Sequence, residues 1–132
     1  FIQVQGGWGV QKIAQNAENI TLIPQTNDLN PVWERTGCLL LLSEIESWGM
    51  AAAEAQRYGI PVVTYDHNHG VIENIGEEVS LILPHTLTAH LDYLENIENM
   101  APSKQVQDHA KDTVTNHNRQ LKEAVRFIET YA

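Results

Sequence analysis

The chain has 132 residues, enough for one domain with a single hydrophobic core. With 42% hydrophobic and 19% charged residues, its composition is that of an ordinary globular protein, which excludes collagen-like, disordered and disulfide-framework classes. Eight Lys and Arg residues against 17 Asp and Glu residues give a net charge of −9, which argues against a protein that holds nucleic acid or anionic membrane by charge.

Two strands and two helices are predicted in the first part of the chain. The strands are short apolar segments that end at glycine or proline, and the helices have apolar residues at helical spacing. In chain order these elements are a strand at Phe1–Gln5, a glycine-rich turn at Gly6–Gly9, a helix at Val10–Ala17, a strand at Ile20–Ile23 and a helix within Asn27–Arg35. Asp28 is the predicted cap of the second helix.

The rest of the chain continues the same alternation of strands and helices. The predicted strands are Cys38–Leu42, Pro61–Thr64 and Val79–Leu83. The predicted helices are Gly49–Tyr58, closed by Gly59, then Val71–Ile75, Thr86–Ile97 and a segment capped by Ser103, which is expected to break at Thr115–Asn118 before a final helix.

This repeated strand–helix order predicts βαβ units and a parallel sheet. We therefore expect a Rossmann-like three-layer α/β/α fold with about five parallel strands, in the order second–first–third–fourth–fifth. No linker or repeat interrupts the pattern, so residues 1–132 form a single predicted domain.

Cys38 is the only cysteine and lies in an apolar run, so it cannot form an internal disulfide. We interpret it as a small buried hydrophobe in a reducing compartment, because no Lys or Arg between Arg35 and Arg57 favours a thiolate. No apolar stretch approaches the ~20 residues of a membrane span and no segment has the pattern of a signal peptide, so we expect a cytoplasmic protein. Since Phe1 lies inside an apolar run, we expect the chain to be a piece of a longer protein.

Ligands of open parallel sheets bind beyond the carboxyl ends of the strands, where Gly6–Gly9 and Ser43–Gly49 are predicted to lie. In the second loop, Glu46 precedes a helix that carries Glu54 eight positions later. Free N–H groups around Gly49 and Met50 at the helix N-terminus favour a phosphate. The arrangement suits a long ligand with hydroxyls at both ends and phosphate between them; the alternative is that both glutamates are simply solvated.

These residues form a motif that resembles the signature of retaining glycosyltransferases of the GT-B fold, the group 1 type with a Glu-x7-Glu motif. The motif reads Ser43-x-x-Glu46-Ser47-Trp48-Gly49-x4-Glu54-Ala55-x3-Gly59-Ile60-Pro61-Val62-Val63. Weaker similarity extends to Gly6-x-Trp8-Gly9, to Asn19–Pro24 and to Gly70–Ile75, which resembles a Gly-x-x-Glu-Ile-Ile turn. The resemblance covers the C-terminal, nucleotide-sugar-binding domain, without its first strand and without the N-terminal acceptor domain.

The resemblance assigns roles to particular residues. It implies that Glu54 binds the ribose of a nucleotide-diphospho-sugar and that Glu46 is the catalytic residue at the transferred sugar. The remaining residues implied to bind the sugar nucleotide are Ser47, Trp48, Gly49 and Met50 along the sugar-diphosphate path, Gly6 and Gly7 in the glycine turn, and Pro24 and Gln25 at the base. It implies no metal and no other cofactor, an acceptor that is a glycan or lipid-linked sugar, and the N-terminal domain of the full-length chain as a partner.

The motif also departs from the family pattern. Ser47 and Pro24 stand where the family has Gly, and the Arg and Lys that clamp the diphosphate have no equivalent. Two alternatives therefore stay open: a degenerate, non-catalytic GT-B domain that acts as a binding module, and a sugar-nucleotide epimerase of the same fold. We expect the isolated chain to transfer no sugar. Trp48 is interpreted as a packing residue beneath the loop, and His67-Asn68-His69 as a polar turn rather than a metal pair.

Overall fold

The computed structural model describes residues 2–4, 17–24, 26–86 and 94–131. The chain divides into two compact units, Phe1–Pro31 and Val32–Ala132.

The first unit contains two short parallel strands, β1 (Ile2–Val4) and β2 (Ile20–Leu22), with Ile2 opposite Ile20. Both predicted strands and their pairing are confirmed. The helix predicted at 10–17 lies almost wholly outside the described residues.

The short helix α1 (Asn30–Trp33) crosses the boundary between the units in sequence. Asp28 Oδ1 accepts a hydrogen bond from the main-chain N–H of Asn30 at 3.0 Å, which confirms the predicted capping role of Asp28. At the other end of the helix Trp33 is buried.

Three parallel strands form the sheet of the second unit, in the order β3 (Leu39–Leu41), β4 (Val62–Tyr65) and β5 (Leu81–Leu83). All four residues of the central strand β4 are buried. In β3, although every residue is apolar, Leu40 is exposed and its two neighbours are half-buried. The predicted neighbours among these strands are confirmed. The relation between the first and third strands stays a prediction.

Helices cover the faces of this sheet. On one face Val63, Tyr65 and Leu83 form a buried cluster with Ile97 of α4 (Leu94–Glu98) and with Met100. Val62 and Thr64 alternate with those residues and are fully buried on the other face. Helices α2 (Met50–Arg57) and α3 (His69–Ile75) both contact β4. The arrangement is the predicted Rossmann-like α/β fold.

Helix α2 ends at the predicted glycine. Gly59 has a φ of +76°, and its N–H donates to Gln56 O while the N–H of Ile60 donates to Ala55 O. This pair of bonds is the Schellman arrangement, in which glycine supplies the left-handed residue without a steric cost. It turns the chain sharply from α2 into β4.

Helix α5 (Lys104–Tyr131) corrects one prediction, since it runs through Thr115–Asn118 without a break. Ser103 Oγ accepts the N–H of Val106 at 3.3 Å, so the predicted cap is confirmed. The four polar residues expected to break the helix are all exposed. At exposed positions Thr, Asn and His cost a helix only tenths of a kcal/mol each, and the segment has no Gly or Pro.

Two other boundaries differ from the predictions. Val79 closes a 3-10 helix, Glu77–Val79, so β5 begins at Leu81 rather than at Val79. Helix α3 begins at His69, earlier than expected. Among the helices in the described ranges, none combines the length and the apolar character needed to cross a membrane.

Candidate functional site

The segment Ser43–Gly49, here called the acidic loop, connects the carboxyl end of β3 to α2. It ends at Gly49, which is buried with a φ of +74°. A Cβ on this glycine would lie 3.1 Å from a methyl group of Val71. Both the backbone conformation and the space therefore favour glycine here, and they fix how the loop enters α2.

Glu46 folds back onto its own loop. Its Oε1 accepts the N–H of Ser47 at 3.0 Å and the N–H of Gly49 at 3.4 Å. A carboxylate is favoured at this position because the start of α2 presents N–H groups and the positive end of the helix dipole. The N–H of Gly49, which was expected to be free for a ligand, instead donates to the carboxylate of Glu46 in this structure.

Glu54 has the opposite environment. It lies on α2, between the buried residues Ala52 and Ala55, and its side chain is half-buried. Within the described part of the chain its carboxylate makes no hydrogen bond or ion pair. A half-buried acceptor without a partner is a candidate for contact with a ligand.

The other residues expected at the site directly follow Glu46 in the chain. Ser47, Trp48 and Met50 are exposed, with Met50 65% accessible. The interpretation of Trp48 as a packing residue beneath the loop is wrong. Trp48 is 40% exposed, and its ring centroid lies 6.1 Å from that of His117 on α5. The residue is therefore partly accessible at the surface of the second unit.

The remaining predicted residues belong to the first unit. Pro24 follows β2 and is exposed, whereas Gly6, Gly7 and Gln25 lie outside the described residues. Their assignment to the ligand stays a prediction.

The segment that follows β4 holds the acidic loop in place. The sequence did not reveal these contacts. Asn68 Nδ2 donates to Ser43 O at 3.1 Å, and Asn74 Nδ2 donates to Trp48 O at 3.1 Å. Gly70 packs directly against the main-chain oxygen of Ser47. The one signal in the sequence was the amide of Asn74, because the other buried residues of α3 are apolar.

His67 takes part in a cluster of rings rather than in a metal pair. It stacks on Tyr65 with ring centroids 5.4 Å apart, and His85 meets both rings edge-on. His67 Nε2 lies 3.0 Å from the main-chain oxygen of Glu44, and His85 Nε2 lies 3.1 Å from Glu44 Oε1. Across the described ranges, no group of three or more His, Cys, Asp or Glu side chains could hold a metal ion.

Cys38 lies just before β3 and is half-buried. Burial raises the pKa of its thiol, because the thiolate would lose hydration. This favours the unreactive, protonated form that was predicted, although Cys38 is half-buried and not fully buried as expected.

Comparison with known proteins places the sequence of this chain in a family. The model of the family described as glycosyl transferases, group 1, matches residues 10–113, which is more than three quarters of the chain. The match includes the acidic loop, α2 and the segment after β4 that holds the loop. Comparison with individual curated proteins gives no match. The chain belongs to the group 1 glycosyl transferases.

Proposed function

We propose that this chain binds a nucleotide-diphospho-sugar and supplies the sugar-donating side of a retaining transfer of a hexose to a glycan or lipid-linked acceptor. The observation that carries the proposal is Glu54, half-buried on α2 and without a protein partner in the described ranges, eight positions after Glu46. Family membership supports glycosyl transfer. The roles proposed for Glu46 and Glu54 specify how the chain binds the nucleotide sugar.

In this proposal Glu54 binds the ribose. The two hydroxyls of a ribose diol are hydrogen-bond donors, and a carboxylate accepts both. Glu46 sits at the mouth of α2, where it faces the transferred sugar and stabilises positive charge that develops at the anomeric carbon. Its present bonds to Ser47 and Gly49 hold the carboxylate at this mouth.

The proposal is tested by titrating the chain with UDP, GDP and ADP and following amide chemical shifts. We expect one nucleotide to give saturable shifts around Glu54. The variant Glu54→Gln should weaken that nucleotide about tenfold, because it removes a charge-assisted hydrogen bond. The variant Glu46→Gln should leave the affinity for the nucleotide nearly unchanged and lower turnover in the full-length enzyme.

The exposed residue Glu77 supplies the matched control, since Glu77→Gln makes the same chemical change away from the acidic loop. It should alter neither binding nor turnover. Equal effects of Glu46→Gln and Glu54→Gln on nucleotide affinity would contradict the proposal. If no nucleotide gives saturable shifts, the non-catalytic binding module takes its place.

A further inference from the structure

Two buried amides, Asn68 and Asn74, hold the acidic loop at its two ends. Each donates a side-chain hydrogen bond to a main-chain oxygen of the loop, across 25 and 26 positions of sequence. Asn68 is 2% exposed and Asn74 is 7% exposed. Two buried side-chain amides that both donate hydrogen bonds to one loop indicate that the position of that loop matters.

Asn68 occupies the N-cap position of α3, yet its side chain makes no bond to that helix. Asn is a preferred N-cap residue because its side-chain oxygen accepts an N–H of the first turn. Here the amide nitrogen donates instead to Ser43 O and, at 3.2 Å, to Thr64 Oγ1. The Thr64 hydroxyl donates in turn to Leu41 O at 3.0 Å, which extends the network into β3. Asn68 thus fixes the point at which the loop leaves the sheet.

Asn74 fixes the other end through a single peptide group. Its Nδ2 donates to the carbonyl oxygen of Trp48. That carbonyl belongs to the same planar peptide group as the N–H of Gly49, which donates to Glu46 Oε1. Holding the oxygen of a planar group also sets the direction of its N–H. Asn74 therefore orients the N–H that holds the carboxylate of Glu46.

We propose that Asn68 and Asn74 are positioning residues for Glu46. Asn74 aims the Trp48–Gly49 peptide group at the carboxylate, and Asn68 anchors the loop at Ser43, so that Glu46 is held toward the transferred sugar. The orientation of Glu46 toward a transferred sugar rests on the proposed function.

The test uses Asn74→Asp, which keeps the shape of the side chain but removes its hydrogen-bond donor when ionised. The matched control is Gln56→Glu. Gln56 is 1% exposed and its Nε2 donates at 2.8 Å to the main-chain oxygen of Ile75, the residue after Asn74. The control therefore also removes a buried donor to a main-chain oxygen, but one that does not belong to the acidic loop. Asn74→Ala is a second variant that introduces no charge.

The first measurement is hydrogen exchange of the Ser47 and Gly49 amides. In both Asn74 variants we expect exchange about fivefold faster than in Gln56→Glu, in line with the loss of one neutral hydrogen bond. As the pH falls from 7 toward 4, the carboxyl introduced by Asn74→Asp takes up a proton and regains a donor. In this variant, exchange of the Ser47 and Gly49 amides should then return toward the rate of the wild type at the same pH.

The second measurement is the affinity of each variant for UDP, GDP and ADP and for UDP-glucose, GDP-mannose and ADP-glucose. Asn74→Asp should lower the ratio of sugar-nucleotide affinity to nucleoside-diphosphate affinity about fivefold and leave the nucleoside diphosphate itself unaffected. Gln56→Glu should leave the ratio unchanged.

Exchange at Ser47 and Gly49 that is equal in the Asn74 variants and the control overturns the positioning role. Faster exchange with an unchanged affinity ratio overturns the link from Asn74 to the sugar. A wild-type chain that binds none of the six probes overturns the proposed function instead, and the exchange rates still decide whether the amide holds Glu46.

Discussion

Gly70 has no space for a side chain, because a Cβ at this position would overlap the main-chain oxygen of Ser47. The substitution Gly70→Ala should therefore force the acidic loop away from α3. We expect it to lower the free energy of unfolding by about 2 kcal/mol, in the range typical of overpacked sites. Thermal and denaturant unfolding of the two chains measure this difference.

Gly37 is the control for that substitution. A Cβ there would meet only Met100 O, at 3.7 Å, which is ordinary contact. Gly37→Ala should leave the free energy of unfolding unchanged or slightly raised, because alanine narrows the unfolded ensemble. Equal losses of stability in both variants would show that the contact of Gly70 with Ser47 is not what limits the substitution.

Cys38 gives a pH dependence of known sign. Burial raises the pKa of its thiol above the ordinary 9.0, so the folded chain holds the proton more tightly than the unfolded chain does. This contribution to stability is complete below pH 9 and is lost as the pH rises beyond it. At a fixed pH between 8 and 9, we expect iodoacetamide to alkylate the folded chain more slowly than the urea-unfolded chain. The variant Cys38→Ala gives the background rate of alkylation at other residues. Equal rates in the two states would contradict the raised pKa.

At the level of elements, α5 has a buried beginning and an exposed remainder. Val106 is 4% exposed, whereas Val114, two turns later, is 55% exposed. The substitution Val106→Ala should cost about 1–2 kcal/mol of stability, since it removes buried methyl groups and leaves a small cavity. Val114→Ala makes the same chemical change and should cost less than about 0.5 kcal/mol. Similar costs at both positions would mean that α5 is also packed at Val114.

The elements themselves were largely predictable, because short-range rules govern them. Gly59, Asp28 and Ser103 act at helix ends through bonds that span a few residues, and the sequence pattern contains those signals. The break predicted at Thr115–Asn118 is wrong because Thr, Asn and His cost an exposed helix little, and only Gly and Pro carry a large cost there.

The site was predictable only in part. The resemblance located Glu46 and Glu54 on one loop and helix, but not the network that holds them. The hydrogen bonds from Asn68 and Asn74 join residues about 25 positions apart, and no local pattern encodes such a pairing. The bond from the N–H of Gly49 to Glu46 was not predictable either, since the N-terminus of a helix attracts a carboxylate of the chain as well as an anionic ligand.

On the scale of the whole molecule, the buried apolar side chains that the structure describes, from Trp33 to Ala110, belong to the second unit, Val32–Ala132. The three-stranded sheet, the acidic loop, α2 and the two amides that hold the loop lie within the same residues.

We therefore expect a chain shortened to residues 32–132 to fold without the first unit, because burial of apolar surface is the main favourable term in folding. Its amide spectrum should stay dispersed, its thermal unfolding should stay cooperative, and the Ser47 and Gly49 amides should keep the chemical shifts that they have in the whole chain. The 132-residue chain under the same conditions is the reference. A collapsed amide spectrum, or broad unfolding without a clear midpoint, would show that residues 1–31 supply stabilising contacts that the core of the second unit cannot replace.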